Sequence, residues 1–190
     1  MDLITGLFSA FGLSASAGLN AYVPLLVVAL VAKFTGLIQL NSPWDALESW
    51  WIIGLLLVLI TIEFFADKVP AVNHLNDAIQ TFVRPAAGAV AFAASANVIS
   101  EIHPVLSLAA GLLIAGSVHA VKTVGVRPAV TATTAGAGNV PVSILEDLIS
   151  TLVSVLAVVL PLLFAALLLL LSIFVLWRLW RRERRQRLTH

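Results

Sequence analysis

The sequence predicts an all-α fold, namely a polytopic transmembrane helical bundle with about five to six crossings, broken or re-entrant helices and one interfacial amphipathic helix. The mean hydropathy of +1.02 and a charged fraction of only 11% are typical of integral membrane proteins. The 190 residues leave room for about five to seven spans of roughly 20 residues each. We therefore expect one transmembrane domain over residues 1–177 and a basic tail over residues 178–190.

The basic tail predicts how the chain is oriented. From Arg178 onward there are six arginines and one glutamate, whereas the rest of the chain has five bases and nine acids. Positive charge directly after a span indicates the cytoplasmic side and can contact anionic lipid headgroups. The absence of cysteine excludes disulfides and thiol chemistry. We expect a bacterial, multi-pass protein of the cell inner membrane with its C-terminal tail in the cytoplasm.

The first third of the chain predicts three helices. The apolar stretch from Leu3 to about Ile38 contains glycines and Pro24, which indicates two helices with a break at 16–20. The backbone groups freed at such a break must be satisfied by protein or line a cavity. A polar loop rich in tryptophan follows, as is typical of the headgroup level. The next span is predicted at Ser49 to Ala66.

The middle of the chain predicts two further helices. Residues 68–83 alternate polar and apolar side chains at helical spacing, which predicts a short interfacial amphipathic helix. The residues on its apolar face are Val72, Leu75, Ile79 and Phe82. Residues 85–100 are mostly small, which favours an interior helix. A tight turn is expected at 101–104.

The last part of the chain leaves the number of crossings open. A span is predicted at 105–121, and residues 123–142 contain too much glycine and proline for one regular helix. Residues 143–177 are nearly all apolar, and they predict either one long kinked helix or a hairpin turning near Pro161. With a hairpin, the basic loops lie on the same side as the basic tail. The positive-inside rule therefore favours six crossings over five.

Nine ionisable residues lie inside or against the apolar runs. They are Glu63, Asp67, Lys68, Arg84, His119, Lys122, Arg127, Glu146 and Asp147. A charge near the middle of a bilayer costs about 2.5–3.5 kcal/mol even on lenient scales, so such residues tend to pair and to mark a pathway. Four acids and four permanent bases predict a paired polar site between helices. They form three groups, at 63–84, 119–127 and 146–147, and the positive-inside rule places all three at helix ends or loops on the cytoplasmic side. We therefore expect a single polar vestibule closed by ion pairs.

Each group also has a structural interpretation. Glu63 and Asp67 are four residues apart and share a helix face, which fits either a local ion pair at a helix end or a proton or cation site. His119 and Lys122 also share a face. No second histidine stands at the spacing of a metal site, so neither a metal nor another cofactor is predicted.

The residues before Glu146 allow two interpretations as well. Ser143-x-x-Glu146 matches a capping box, with Asp147 in the same first turn. The flexible segment before it could instead wrap a small ion. Gly138-Asn139 resembles Gly18-Leu-Asn20 in the first half, and Arg-Pro pairs recur in both halves. Broken segments at matching places in two halves indicate a transporter site, although the order of the motifs differs between the halves.

Together these motifs resemble one family. They are Gly18-Leu-Asn20-Ala-Tyr22-Val-Pro24, Glu63-x3-Asp67-Lys68-x-Pro70, His119-x2-Lys122-x4-Arg127 and Gly138-Asn139-x3-Ser143-x2-Glu146-Asp147. The set is similar to that of bacterial integral membrane proteins described as domain of unknown function 4126, over residues 10–165. Val140 stands between Asn139 and Pro141, a small departure from that pattern. The resemblance implies a polytopic membrane protein and supplies no activity, so function must be argued from the site.

The leading functional hypothesis is a small transporter or flippase-like protein for a small or phosphate-bearing anion, with proton coupling. The predicted substrate-binding residues are Lys68, Arg84, Lys122, Arg127, Asn20 and Asn139. The predicted proton- or ion-coupling residues are Glu63, Asp67, His119, Glu146 and Asp147. The alternative is a non-transporting membrane scaffold or assembly protein whose charges are structural ion pairs. No enzyme motif is present, no nucleic-acid partner is expected, and membrane lipids and a second copy of the chain are the expected partners.

Overall fold

The computed structural model describes residues 3–68, 70–96 and 103–187. All regular structure in these ranges is helical, which confirms the predicted all-α class. The elements are α1 (Leu3–Leu19), α2 (Val23–Thr35), a 3-10 turn (Trp44–Glu48), α3 (Trp50–Ala66), α4 (Pro70–Ala96), α5 (Pro104–Ala120), a π-helical turn (Val121–Val126), α6 (Arg127–Thr134) and α7 (Asn139–Arg187). The elements from α5 to α6 follow one another without a break.

Helix α1 lies at the centre of the bundle and packs against α4, α5 and α7. Small residues allow this close approach. A Cβ added to Gly18 would lie 2.6 Å from the backbone oxygen of Ala115, and one added to Gly88 would overlap the Cβ of Ala115. Helices with small facing residues can bring their backbones into van der Waals contact. The interior of the bundle is therefore rich in alanine, glycine and serine, beside a smaller number of large apolar side chains such as Leu13, Val28 and Phe92.

Many large apolar side chains lie on the outside. Trp51 is 90% exposed and Phe82 is 78% exposed, while Arg84 and Glu63 are fully buried. Among the described residues, the stretches Pro104–Thr134 and Asn139–Leu160 are long and apolar enough to cross a membrane, judged by length and composition. These two stretches are consistent with a membrane protein, and the multi-pass topology and the number of crossings stay predictions.

The predicted break in the first apolar stretch is confirmed, a few residues later than expected. Helix α1 ends at Leu19 and α2 begins at Val23. The side-chain oxygen of Asn20 accepts hydrogen bonds of 3.1 Å from the backbone N–H groups of Tyr22 and Val23. These bonds satisfy donors at the start of α2 that have no partner within the helix. Asn20 therefore holds the break in place.

The prediction of a separate interfacial helix at 68–83 is wrong. Helix α4 runs without interruption from Pro70 to Ala96 and contains Pro85. The amphipathic pattern is real, but its apolar side chains Ile79 and Phe82 face out of the bundle. The polar side faces inward because it meets charged side chains there. The Val72 side chain and residues 97–100 lie outside the described part of the chain.

The irregular region predicted at 123–142 is confirmed. The π-helical turn leads into α6, which ends at Ala135 and Gly136 with φ of 52° and 87°. These left-handed residues stop the helix and let the chain turn into α7. Of the turn predicted at 101–104, residues 101 and 102 lie outside the described residues, and His103 caps the start of α5.

The hairpin near Pro161 is wrong, because α7 continues as one helix from Asn139 to Arg187. The capping box is wrong too, since Ser143 lies inside the helix and its hydroxyl donates to Asp67. The start of α7 and the basic tail lie at opposite ends of this helix. The expectation that the charged groups and the tail lie on the same side of the membrane depended on the hairpin. Without the hairpin this expectation has no support.

Candidate functional site: a buried network of ion pairs

The most deeply buried charges are Glu63 on α3 and Arg84 on α4. Arg84 Nη2 donates to Glu63 Oε1 at 2.8 Å, and both side chains are 1% exposed. The imidazole Nδ1 of His119 lies 3.4 Å from Arg84 Nη1, and its Nε2 lies 3.3 Å from the hydroxyl of Thr81. Removing either partner of such a pair would leave an uncompensated buried charge, which is strongly unfavourable.

This deep pair is incompletely hydrogen-bonded. Glu63 Oε2, Arg84 Nε and Gln80 Oε1 are buried without a hydrogen-bond partner. Gln80 and Arg84 are four residues apart and share a face of α4, and the Gln80 side chain reaches the hydroxyl of Tyr22. Nearly all buried polar atoms in native proteins have a partner. The inner end of the network therefore has spare capacity to bind a proton or a small polar group.

Asp67, which directly follows α3, connects the deep pair to the rest of the network. Its Oδ2 accepts from Arg127 Nη2 at 3.2 Å and from the Ser143 hydroxyl at 3.1 Å, and lies 3.9 Å from Arg84 Nη2. Its Oδ1 accepts from the Asn76 amide at 2.6 Å. One carboxylate thus joins α3, α4, α6 and α7.

The surroundings of Asp67 keep it ionised. Burial of its carboxyl raises the pKa, but the positive charges of Lys122, Arg127 and Arg84 outweigh burial and hold the pKa below its ordinary value. A carboxyl whose folded-state pKa is lowered stabilises the fold above its unfolded pKa of about 3.9, and this stabilisation is lost as the pH falls through the folded pKa. The ionised carboxylate of Asp67 contacts both Arg127 and Arg84.

The π-helical turn brings two cations onto one carboxylate. The N–H of Arg127 bonds to the carbonyl of Lys122, five residues earlier. In an α-helix these residues would be rotated by about 500°, or roughly 140° apart on the helix surface, whereas i→i+5 bonding places them one turn apart on the same face. Lys122 Nζ and Arg127 Nη2 consequently lie 2.7 Å and 3.6 Å from Glu146 Oε2.

The outer pairs of the network are partly exposed. Arg127 Nη1 donates to both oxygens of Asp77, at 2.9 Å and 2.7 Å. Lys68 Nζ lies 3.5 Å from Asp147 Oδ2, and the Asn20 amide donates to Asp147 Oδ1 at 3.0 Å. The Asp77 side chain is 22% exposed and that of Asp147 is 21% exposed. Burial therefore increases step by step from Asp77 and Asp147 inward to Glu63.

Carboxylates outnumber permanent bases in this network. The carboxylates are Glu63, Asp67, Asp77, Glu146 and Asp147, and the bases are Lys68, Arg84, Lys122 and Arg127. Five negative and four positive charges give −1 when histidine is neutral and every other group is ionised. Because each of the four bases has a carboxylate partner, an anion can bind here only by replacing a carboxylate.

The structure joins seven of the nine ionisable residues singled out from the sequence into one connected set, which are Glu63, Asp67, Arg84, His119, Lys122, Arg127 and Glu146. The other two, Lys68 and Asp147, form a separate group with Asn20. The structure brings Asn139 to neither group, because the Asn139 amide exchanges hydrogen bonds with Thr131 in an exposed position. Sequence reasoning did not assign five polar residues to the site, which are Asn76, Asp77, Gln80, Thr81 and Ser143. Among the described residues, no three His, Asp or Glu side chains are placed to hold a metal ion.

A signal for two of the missed residues was present in the sequence. Asn76, Gln80 and Arg84 recur every four residues and so form one polar stripe along α4. A helix at the membrane surface would turn this polar stripe toward water, so the stripe did not indicate a buried site. Ser143 carried no signal of this kind, since it matched a capping box equally well.

The fold and the site together define a class of protein. It is a helical bundle with a small-residue interior, an apolar outer surface and a closed network of ion pairs at one end of its helices. The chain belongs to the family described as Domain of unknown function (DUF4126), whose model matches residues 7–182. The family indicated by the sequence motifs is thereby confirmed. No curated protein and no solved structure matches the chain.

Proposed function

We propose that the chain is a small multi-pass transporter or flippase-like protein of the inner membrane for a small or phosphate-bearing anion, and that the ion-pair network is its substrate site in a closed state. One observation carries this proposal. Paired charges continue without interruption from Asp77, 22% exposed, to Glu63, 1% exposed. Charged side chains that face the interior of a membrane bundle typically mark substrate pathways and proton relays.

The dimensions of α7 support a position for the network at one membrane surface. The segment between Asp147 and Arg178 contains no charged residue and is about 45 Å long at 1.5 Å per residue. This matches the roughly 40–45 Å of a bilayer with its headgroups. The network then lies at one headgroup level and the arginine tail at the other. With the tail in the cytoplasm, the network faces the periplasm.

The charge balance supports proton coupling. An incoming anion competes with carboxylates for Arg84, Lys122 and Arg127, and protonation of a carboxylate removes its competition for its own partner, which is Arg84 in the case of Glu63. Asp67 stays ionised at neutral pH because its pKa is lowered. Glu63 has a buried oxygen, Oε2, without a hydrogen-bond partner, and this oxygen is available to hold a proton. Anion and proton therefore move in the same direction.

Uptake of phosphate into proteoliposomes tests this function. We expect the wild type to take up labelled phosphate when the outside is more acidic. Lys122→Ala should reduce uptake at least tenfold, since it removes a cation that contacts Glu146 at 2.7 Å. Lys33→Ala is the matched control, because Lys33 donates to the backbone carbonyl of Glu48 outside the network. Folded wild-type protein that moves neither phosphate nor other small anions would overturn the proposal.

A structural role is the second candidate, and the complete pairing of the four bases favours it. In that case the network only locks α3, α4, α6 and α7 together within a membrane scaffold or assembly protein. Lys122→Ala would then lower the melting temperature in detergent without removing any flux. A change in the oligomeric state of the variant would support the same interpretation.

A further inference from the structure

An apolar groove opens on the side of the bundle next to the network. It lies between the end of α5 with the π-helical turn and the first half of α7, and its volume is about 470 Å³. Its apolar wall residues include Leu19, Val118, Val121, Val126, Leu145 and Ile149. Lys122 and Glu146 also line the groove. The groove therefore joins the ion-pair network to the outer surface of the two helical stretches with the length and composition of membrane spans.

The charged end of the groove is suited to an anion. Lys122 and Arg127 share a single oxygen of Glu146, and the other partner of Lys122 is a neutral one, the backbone carbonyl of Leu19 at 3.4 Å. Glu146 is the carboxylate partner of Lys122, at 2.7 Å, whereas Arg127 also pairs with Asp77 and Asp67. An anionic group that enters the groove can pair with this lysine at the cost of a contact that Glu146 already divides between two cations.

The walls of the groove are suited to a hydrocarbon chain. A small soluble anion would gain nothing from them, whereas sites of about 300–1,000 Å³ with apolar walls and a few polar groups are typical of organic small-molecule ligands, and a hydrocarbon chain matches apolar walls. We infer that the groove binds a membrane amphiphile with an anionic phosphate headgroup, its chain along the walls and its headgroup at Lys122. This inference rests on the proposed function and names the class of its substrate, which enters sideways from the bilayer.

Lipid binding to the purified chain tests the inference. The probes are dioleoyl phosphatidic acid, dioleoyl phosphatidylcholine and inorganic phosphate, with bound lipid counted by native mass spectrometry. Val121→Trp fills the groove. Val124→Trp is the matched control, because both valines belong to the π-helical turn and are exposed, at 66% and 78%, but Val121 lines the groove and Val124 does not.

We expect phosphatidic acid to bind the wild type and Val124→Trp at least tenfold more tightly than phosphatidylcholine, and Val121→Trp to lose at least tenfold in affinity. Lys122→Gln should remove the preference for phosphatidic acid while leaving some binding of both lipids. If Val121→Trp does not fold, Leu145→Trp replaces it, since Leu145 is a second exposed wall residue.

Three results would overturn the inference, and they separate it from the proposed function. Suppose that inorganic phosphate binds the wild type and Val121→Trp equally tightly, and that lipid binds no more tightly than phosphate. This result would refute the amphiphile as the ligand and leave the proposal of anion transport intact. If neither the wild type nor Lys122→Gln binds any anion, both the inference and the proposed function are refuted. Conversion of a dimer to a monomer by Val121→Trp, without any effect of lipid, would show that a second copy covers the groove.

Discussion

The middle of the bundle and its charged end hold helices together by different means. In the middle, the Ser16 hydroxyl lies 2.8 Å from that of Ser150 and 2.6 Å from that of Ser154, and glycines of α4 and α5 pack backbone against backbone. At the charged end, Asp67 lies near two arginines and Glu146 near two cations. Closely packed small residues allow only one arrangement of the helices, whereas a carboxylate that contacts two cations can exchange one partner for the other. The middle is therefore suited to a fixed frame, and under the proposed function the charged end is the part that opens.

Removing one deep charge should have the largest effect on stability. Arg84→Met leaves Glu63 buried without its partner, and the expected loss is about 3–5 kcal/mol. Adding Glu63→Gln should recover much of that loss, because no buried charge then stays unpaired. Lys68→Met is the comparison within the network, since its pair with Asp147 is partly exposed and should contribute about 0–1 kcal/mol. Unfolding in mixed micelles measures all three, and equal losses at Arg84 and Lys68 would contradict the gradient of burial.

A single methyl group in the middle of the bundle should have the next largest effect. Gly88→Ala places a Cβ against that of Ala115, and overpacking of this kind costs about 1–3 kcal/mol. Gly54→Ala is the matched control, because a Cβ at Gly54 meets nothing within 4 Å. That variant should gain about 0.5–1 kcal/mol from helix propensity. The same denaturation assay measures both, and a neutral Gly88→Ala would show that α4 and α5 can separate without cost.

Loss of one hydroxyl in the serine cluster should have the smallest effect. Ser154→Ala removes one contact to Ser16, which keeps its contact with Ser150. Hydrogen bonds between membrane helices contribute about 0.6 kcal/mol on average. We expect a loss of that order in the free energy of unfolding and no change in anion uptake or lipid binding. A loss of uptake would show that the middle of the bundle takes part in the site.

Local patterns predicted the helices well where the signal came from nearby residues. The break before α2 follows from Asn20 and Pro24, and the irregular region after α5 follows from its glycines and prolines. The errors at Pro85 and Pro161 have one cause. Proline normally ends a helix in water, but within a packed or apolar bundle a helix can continue through proline because its freed groups are satisfied by neighbours.

The site was predictable as a set of residues and not as an arrangement. The cost of burying charge was enough to single out Glu63, Arg84 and Lys122 from the sequence. Their partners could not be predicted from the sequence. Asp77 binds Arg127 from another helix, and this pairing depends on how α4 and α6 pack. Asn139 shows the converse error, because a motif similar to that of Asn20 forms only a local contact with Thr131.

The sequence by itself determined that this chain is helical, that it is too apolar for an ordinary soluble domain and that its few internal charges must pair. These properties depend on composition and local spacing, which act through the solvation of each residue. Only the tertiary structure decided which charges pair, that the π-helical turn directs Lys122 and Arg127 to Glu146, and that the network lies at the end of α7 opposite the basic tail. Those features depend on contacts between distant segments, whose geometry is set by how small residues let the helices pack.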